Sequence, residues 1–177
     1  MTKVTKYSSL WESSSYAEVS KSYSSKGYPL FPVATDKRPF VRWKEGATTD
    51  QRKLAQWWQE WPNAMIGMPT GSKSGIVVLD VDVKNDVNGL ETLKDNGWLE
   101  EIPESTVEVE TPSGGRHYYF EAPVNTEIRN SAGKIGPGLD VRGEGGFIIL
   151  PPSRPNVHDN RDYRYSEGFT QEAGTLL

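Results

Sequence analysis

The sequence contains no cysteine among its 177 residues. A disulfide framework, a Cys-ligated zinc site, an iron–sulfur cluster and a thiol nucleophile are therefore excluded, and any metal must be held by oxygen or nitrogen ligands. Long hydrophobic runs are also missing, because no stretch approaches the roughly 18 apolar residues of a membrane span. No signal peptide is recognisable. The sequence therefore predicts a soluble, cytoplasmic protein with no membrane partner.

An excess of positive charge is missing as well. The chain has 20 Lys and Arg residues against 24 Asp and Glu residues, a net charge of −4. That balance by itself argues against a nucleic-acid partner, because phosphate binding favours positive charge. The charge is unevenly divided, however: residues 80–110 hold ten acidic and two basic residues, or −8, so the remaining residues total +4. The basic remainder can face phosphate.

The length predicts a single domain over residues 1–177. Helical spacing of apolar residues predicts three helices: one that includes Leu10, Tyr16, Val19 and Tyr23 and ends near Gly27, one over 48–61 that begins with a Thr48–Gln51 capping box, and a short one over 88–97. In the second helix the pattern places Leu54, Trp57, Trp58 and Trp61 on the inward stripe.

The strongest predicted strand covers residues 74–83, which are apolar on both faces, as is typical of a strand at the centre of its sheet. Two further strands, 105–111 and 116–121, are joined by a glycine turn and predict a hairpin. Short strands are expected at 138–143 and 145–150, and a final edge strand at 162–168. Hairpins combined with helices, without regular βαβ alternation, indicate an α+β fold.

Two aspartates end the central strand in the run DVD. Alternation places Asp80 and Asp82 on one face, because side chains two residues apart in a strand point the same way. Carboxylates this close repel each other unless a cation lies between them, which indicates a divalent metal site for Mg²⁺ or Mn²⁺. The alternative is that the aspartates only mark the end of the strand.

The run TPSGGRHYYF combines a glycine turn with a histidine. Gly114 and Gly115 would let the backbone approach a ligand and turn N–H groups toward an anion. His117 leaves the turn on the same strand face as Tyr119 and could contact a phosphate or a metal. The alternatives are an ordinary hairpin turn and a packed histidine.

The run GPGLDVRGEGGFIILPPS places Asp140 and Arg142 on one face of a strand. An acid beside a guanidinium suits a metal ligand next to a phosphate clamp. An intrastrand salt bridge between the two residues is an equally good interpretation of this motif alone.

Taken together and in order, four runs carry a family resemblance: FPVATDKRPFVRWKEGATTD, IGMPTGSKSGIVVLDVD, TPSGGRHYYF and GLDVRGEGGFIILPPS. With these runs the chain resembles the bifunctional primase/polymerase (Prim-Pol) family of the archaeo-eukaryotic primase superfamily, over about residues 27–168. In that superfamily a DxD or DxE pair and a third aspartate hold two metal ions, and a histidine in a small-x-His motif contacts the nucleotide triphosphate.

The resemblance implies a set of site residues in this chain. The metal ligands would be Asp80, Asp82 and Asp140, and with His117 they would form the catalytic set. The implied nucleotide-binding residues are Ser113, Gly114, Gly115, Arg116, His117, Arg142 and Lys37. Gly115 stands where many superfamily members have serine, so Ser113 or the backbone N–H groups of Gly114 and Gly115 are expected to replace that hydroxyl.

A basic and aromatic segment precedes the acidic block, and such interleaving is typical of single-strand binding. Within it Arg38, Arg42, Trp43 and Lys44 are the predicted template-binding residues, with Trp43 as the stacking candidate. For Trp57 and Trp58 the helical pattern favours a place in the core.

The resemblance implies a two-lobed α+β catalytic core with a central mixed or antiparallel, RRM-like sheet flanked by helices and no zinc-binding insertion. It implies a template-dependent DNA primase/polymerase that uses two Mg²⁺ or Mn²⁺ ions, with single-stranded DNA template, primer and dNTPs or NTPs as partners. It also implies the N-terminal part of a longer replication protein of a bacterial or archaeal plasmid, phage or other mobile element, with a helicase domain or protein as a further partner. Two alternatives are a metal-dependent DxD glycosyltransferase and a noncatalytic nucleic-acid-binding module of the same fold.

Overall fold

The computed structural model describes residues 14–84, 86–156 and 161–166. The helices are α1 (Tyr16–Ser25), α2 (Trp43–Gly46), α3 (Gln51–Glu60) and α4 (Gly89–Asp95), with a 3₁₀ helix at Leu99–Glu101. The strands are β1 (Phe31–Val33), β2 (Met65–Pro69), β3 (Ile76–Val81), β4 (Val83–Lys84), β5 (Val87–Asn88), β6 (Val107–Glu110), β7 (Arg116–Glu121), β8 (Ser131–Gly136), β9 (Leu139–Arg142), β10 (Phe147–Ile149) and β11 (Arg164–Tyr165).

Antiparallel sheets and a few helices make up the described part of the chain. A six-stranded sheet has the order β11-β6-β7-β3-β9-β8, and a three-stranded sheet has the order β1-β2-β10. Strands β4 and β5 form a separate two-stranded pair. The predicted α+β class is confirmed at this level, and the predicted hairpin is present as β6 and β7.

Strand β3 lies inside the six-stranded sheet, with β7 on one side and β9 on the other, as its apolar faces predict. The predicted end at residue 83 is wrong, because the strand stops at Val81. There the backbone N–H of Asp82 donates to the carbonyl of Gly138, and the chain turns into the β4–β5 pair. Asp80 is therefore in the strand, and Asp82 follows it.

Helix α1 begins with a capping box of Ser15 and Glu18, and Leu10 lies outside the described residues. For α3 the predicted Thr48 cap is wrong: the Asp50 side chain accepts the N–H groups of Arg52 and Lys53 and is the N-cap. The Thr48 backbone is instead paired with Leu30, which holds it in extended conformation. None of the described helices is long and apolar enough to cross a membrane.

The two faces of the six-stranded sheet pack against different layers. Ile76 and Val78 of β3 join the main core, which the three-stranded sheet, α1 and α3 complete. Val81 faces the other way, into a smaller cluster with Leu93 of α4 and Leu139. The predicted inward stripe of α3 is buried at Leu54, Trp57 and Trp58, whereas Trp61 is half-buried. Asp80 is an even number of residues away from Ile76 and Val78 in the strand, so its side chain points to the same face of the sheet as theirs, toward the main core.

Strands β9 and β10 belong to different sheets, although only four residues separate them. β9 pairs with β3, and β10 crosses to pair with β2 of the three-stranded sheet. The intervening loop is held by Thr70, whose hydroxyl donates to the carbonyl of Gly143. The loop therefore connects the two sheets. Its residues Gly145 and Gly146 line a pocket that Asp80 also lines.

Gly67 of β2 allows close packing against side chains of β1. A Cβ atom there would lie 2.6 Å from Val33 Cγ2 and 2.7 Å from the Phe31 ring. Gly67→Ala should reduce the free energy of unfolding by about 1–3 kcal/mol, because a packed core resists added volume. Urea denaturation measures the change. Gly46→Ala is the matched control, since it has no neighbour within 4 Å and lies in a helix; equal stability of the two variants would contradict the packing argument.

Candidate active site

Sheet register brings the three predicted side chains together. Asp80 is directly opposite His117 of β7 and directly opposite Asp140 of β9. Cross-strand partners of this kind have Cβ atoms about 5 Å apart on the same face of the sheet. The acid in the central strand is therefore flanked by a histidine and a second acid.

Arg142 connects the two acids. Its Nη2 atom is 2.8 Å from Asp80 Oδ2 and 2.9 Å from Asp140 Oδ2, and its Nε atom is 3.0 Å from Asp80 Oδ2. On the other side, His117 Nε2 is 3.3 Å from Asp80 Oδ1. The Asp140–Arg142 salt bridge left open as an alternative is thus present, and it extends to Asp80.

Asp80 is a buried carboxylate with a perturbed pKa. Burial alone would raise the pKa of Asp80, but His117 and Arg142 stabilise the charged form and together hold the pKa well below the usual range of an aspartate. The group is therefore ionised at neutral pH although its side chain is only 12% exposed. The site is a fixed negative charge compensated by neighbouring donors.

Asp82 does not join this cluster. Its Oδ2 atom is 2.7 Å from Lys84 Nζ, just beyond the end of β3. Asp140 has a further partner, since its Oδ1 atom accepts the N–H of Gly133 at 2.8 Å. Within residues 14–84, 86–156 and 161–166, no three His, Asp or Glu side chains form a group arranged to hold a metal ion. Of the three predicted metal ligands, Asp80 and Asp140 are therefore bridged by Arg142, whereas Asp82 pairs with Lys84 instead.

A pocket of about 370 Å³ opens beside the cluster. Its size falls in the range of small-molecule sites. Six of the predicted residues line it: Lys37, Trp43, Lys44, Asp80, His117 and Arg142. The lining is completed by Asn130, Gly145, Gly146, Phe147, Ile148, Ile149 and Tyr163. The pocket combines three cationic side chains with aromatic walls and one buried carboxylate.

Lys37 reaches this pocket from a tight turn. Its backbone φ is +70°, in the left-handed region that costs an L-residue about 1–2 kcal/mol. Its Nζ atom lies 5.8 Å from the centre of the Tyr163 ring. Partial burial lowers the pKa of Lys37, and the charges of Asp80 and Asp82 oppose that shift. A residue kept in an unfavourable backbone conformation with its charge directed at a pocket is a functional candidate.

Trp43 is the residue predicted to stack against a single strand. Its ring stacks on Phe31 at 5.6 Å and packs against Phe147 at 5.2 Å. The side chain is half-buried and forms part of the pocket wall. The sequence did not predict the short helix α2, which turns this side chain toward the core.

The glycine turn lies outside the pocket lining. The N–H of Gly114 donates to the Thr111 carbonyl, and the Ser113 hydroxyl contacts the Thr111 hydroxyl. Gly115 approaches β3 so closely that a Cβ atom would be 2.2 Å from the carbonyl oxygen of Val81. These contacts are those of a hairpin turn, so the geometry adds no support to a phosphate cradle here.

Arg116 and the remaining basic residues are also placed away from the cluster. Arg116 faces the opposite side of β7 from His117 and pairs with Glu108 at 2.7 Å. Arg38 pairs with Asp36 at 2.7 Å, and both Arg38 and Arg42 are exposed outside the pocket lining. The structure therefore brings together part of the implied nucleotide-binding set.

Tyr163 is the main site residue that sequence reasoning missed. Its ring is 4% exposed and lies 5.7 Å from the His117 ring. The backbone N–H of Tyr163 donates to the carbonyl of Ser153, which fixes the segment before β11. Residues 162–168 were predicted as an edge strand, and β11 confirms this for Arg164 and Tyr165. The sequence carried no signal that this edge would meet His117.

Fold and site define an α+β protein with a compensated acidic cluster at the centre of an antiparallel sheet, beside a cation-lined pocket. The model of one protein family, the bifunctional DNA primase/polymerase N-terminal domain (Prim-Pol), matches residues 20–173. The chain belongs to this family. At the level of the family, this membership implies DNA primase/polymerase activity of the nucleotidyltransferase type, with DNA and nucleotides as substrates and a general use of divalent metals. No curated protein matches the chain.

The lowered pKa of Asp80 predicts an acid-dependent loss of stability. Because the folded-state pKa is below the unfolded value of about 3.9, the contribution is complete above that pH and is lost as the pH falls further. Asp80→Asn should remove about 1 kcal/mol of the fall in unfolding free energy between pH 4 and pH 3. Urea denaturation in EDTA measures this. Asp95→Asn, which removes an exposed carboxylate, is the comparison variant; a pH dependence in Asp80→Asn equal to that of the wild type would refute the assignment.

Proposed function

We propose that the protein is a template-dependent primase/polymerase that transfers nucleotides from dNTPs or NTPs to the 3′-hydroxyl of a primer or an initiating nucleotide. The observation that carries the proposal is the cluster of Asp80, Asp140, His117 and Arg142 on three adjacent strands, of which Asp80, His117 and Arg142 line the pocket. Nucleotidyl transfer depends on positioning and on charge compensation, which such a cluster can provide.

The carboxylates suit divalent cations in their chemistry. They offer an oxygen-only donor set, which Mg²⁺ and Mn²⁺ prefer, and the Arg142 guanidinium already bridges two of them. Asp80, Asp140 and Asp82 would hold the ions, with Arg142 and Lys84 giving up their present contacts. Bound cations would supply a lower pKa for the primer hydroxyl and neutralise charge on the leaving pyrophosphate.

Three cationic or donor side chains of the pocket lining would bind the triphosphate. Lys37 projects into the pocket over Tyr163, and His117 and Arg142 stand at the strands below it. Arg142 could exchange carboxylate oxygens for phosphate oxygens, since its planar fork matches both groups. Because Lys37 has no carboxylate within ion-pair distance among the described residues, its charge is available to a ligand.

Within this proposal the chain is one two-lobed catalytic domain without a zinc-binding insertion, and its partners are a DNA template, a primer and nucleotides. The glycosyltransferase alternative gains no support from the family comparison, because the family that matches is a DNA primase/polymerase family. A noncatalytic binding module of the same fold is the rival that experiment must separate.

Primer extension tests the proposed activity. Wild-type protein with Mg²⁺ or Mn²⁺, a primed template and labelled dNTPs or NTPs should extend the primer or form dinucleotides. Asp80→Asn and Asp140→Asn should each lower the rate by at least about 100-fold, because each removes a charge at the reacting centre. Circular dichroism verifies that both variants fold.

The matched control is Asp95→Asn, which removes an exposed carboxylate from the same acidic block and should keep wild-type activity. If the wild-type chain extends no primer and makes no dinucleotide with either metal and either nucleotide pool, the polymerase proposal fails. Extension that persists in both aspartate variants would equally reject this site.

Substitution of Lys37 separates its backbone conformation from its charge. Lys37→Gly and Lys37→Ala should both lower kcat/KM for the nucleotide by about 10- to 100-fold, the loss expected for one charge-assisted contact. Lys37→Gly should be more stable than Lys37→Ala by about 1 kcal/mol, because only glycine accepts a φ of +70° without strain. Steady-state kinetics and urea denaturation test the two parts; full activity in both variants would exclude Lys37 from nucleotide binding.

A further inference from the structure

We propose that Phe40, stacked on Trp61, is a base-stacking site for single-stranded DNA that leads to the pocket. The two rings are 4.7 Å apart between centroids and only 2° from parallel. Phe40 is 44% exposed, among the most exposed large hydrophobic side chains of the described residues. The proposal rests on the proposed function, since it adds the path of the DNA strand to that reaction.

Core packing of Trp61 and backbone hydrogen bonds of both residues hold the aromatic pair in position. Trp61 packs against the main core at the end of α3, and its backbone N–H donates to the Trp57 carbonyl at 2.7 Å. The N–H of Phe40 donates to the carbonyl of Pro32 in β1 at 3.0 Å. Phe40 therefore lies as an outer ring on a supported inner ring. Such a flat aromatic surface can stack a base without ordering a flexible side chain first.

Positive charge is concentrated in the segment that carries Phe40. Residues 36–44 contain Lys37, Arg38, Arg42 and Lys44 against the single carboxylate Asp36, a local net charge of +3. Arg42, two residues from Phe40, is exposed and has no ion pair among the described residues. Arg38 is held by Asp36, so Arg42 is the available cation nearest to Phe40 in the sequence. Aromatic surface beside uncompensated cations is complementary to a single strand, which offers bases and phosphates together.

The segment that carries Phe40 also supplies residues of the pocket lining. Three residues of chain span at most about 11 Å, so Phe40 lies within that distance of Trp43 between Cα atoms. Trp43 and Lys44 line the pocket, and the ammonium of Lys44 is 5.6 Å from the centre of the Trp43 ring. A strand stacked on Phe40 would therefore enter next to the proposed nucleotide site.

Another exposed aromatic residue shows why charge matters. Trp98 is 37% exposed, close to the value for Phe40. It stands beside Asp95, Glu100 and Glu101 in the acidic block, where phosphate would be repelled. Trp98 is thus matched to Phe40 in kind and exposure and opposite to it in electrostatic surroundings.

Fluorescence anisotropy with a short labelled oligothymidylate tests the site. Phe40→Ala and Phe40→Leu should weaken binding by about 5- to 100-fold, the effect of losing one base–aromatic stack, whereas Phe40→Trp should retain it. Arg42→Gln should weaken binding and reduce the slope of log affinity against log salt by about 1. Trp98→Ala should bind as the wild type does. Thermal unfolding verifies that each variant is folded.

Equal affinity of Phe40→Ala and wild type, or equal losses in Phe40→Ala and Trp98→Ala, would overturn the proposal. So would a concentration-dependent dimer that Phe40→Ala abolishes in sedimentation velocity, because a second copy of the chain would then cover the pair. Primer extension by the wild-type protein at saturating primer-template is measured separately. If the wild-type protein extends the primer but Phe40→Ala binds the oligonucleotide as tightly as wild type, only the stacking site is rejected. If Phe40→Ala weakens binding but the wild-type protein extends no primer, only the polymerase activity is rejected.

Discussion

The guanidinium of Arg142 between Asp80 and Asp140 is the interaction on which the site depends. Two carboxylates opposite each other on neighbouring strands repel, and a buried carboxylate without partners is costly. Arg142 offers one nitrogen to both acids, and His117 contacts the remaining oxygen of Asp80. Each of the four groups needs the others, which ties the local register of β7, β3 and β9 to the chemistry at their centre. Breaking such a buried pair costs far more than an exposed salt bridge contributes.

Local alternation predicted much of this arrangement. The pattern of β3 indicated a central strand, and parity placed Asp80 and the pair Asp140 and Arg142 each on a single face of its strand. Those predictions succeed because side-chain direction in a strand depends on neighbouring residues alone. Parity also separates Arg116 from His117, which are adjacent in β7, so the sequence already contained the reason that Arg116 faces the other side of the sheet. The family resemblance, rather than the pattern, grouped them.

Long-range packing determined what the sequence could not show. β8 has little alternation and was not predicted, and the pairing of β10 with β2 depends on a crossover between sheets. Trp43 was predicted as a stacking residue, and its contacts with Phe31 and Phe147 were not predicted, because the strand that holds Phe147 lies far along the chain. The contact of Tyr163 with His117 is equally nonlocal. Such contacts require knowledge of which strands become neighbours, and a one-dimensional pattern does not contain it.

The division of charge explains how an acidic chain can bind an anionic polymer. Part of the acidic block is compensated within the sheet, since Glu108 and Glu110 pair with Arg116 and Arg164 on the face away from His117. Residues 36–44 carry a local excess of positive charge. Two of these cations, Lys37 and Lys44, line the pocket, and Phe40 lies in the same segment. Screening limits exposed charges to about 8–10 Å at physiological salt, so a strand at the pocket is affected by the nearby cations more than by distant acids. Net charge is therefore a poor guide to the partner of this protein, and the sign of the surface within one screening length of the site is the quantity that decides.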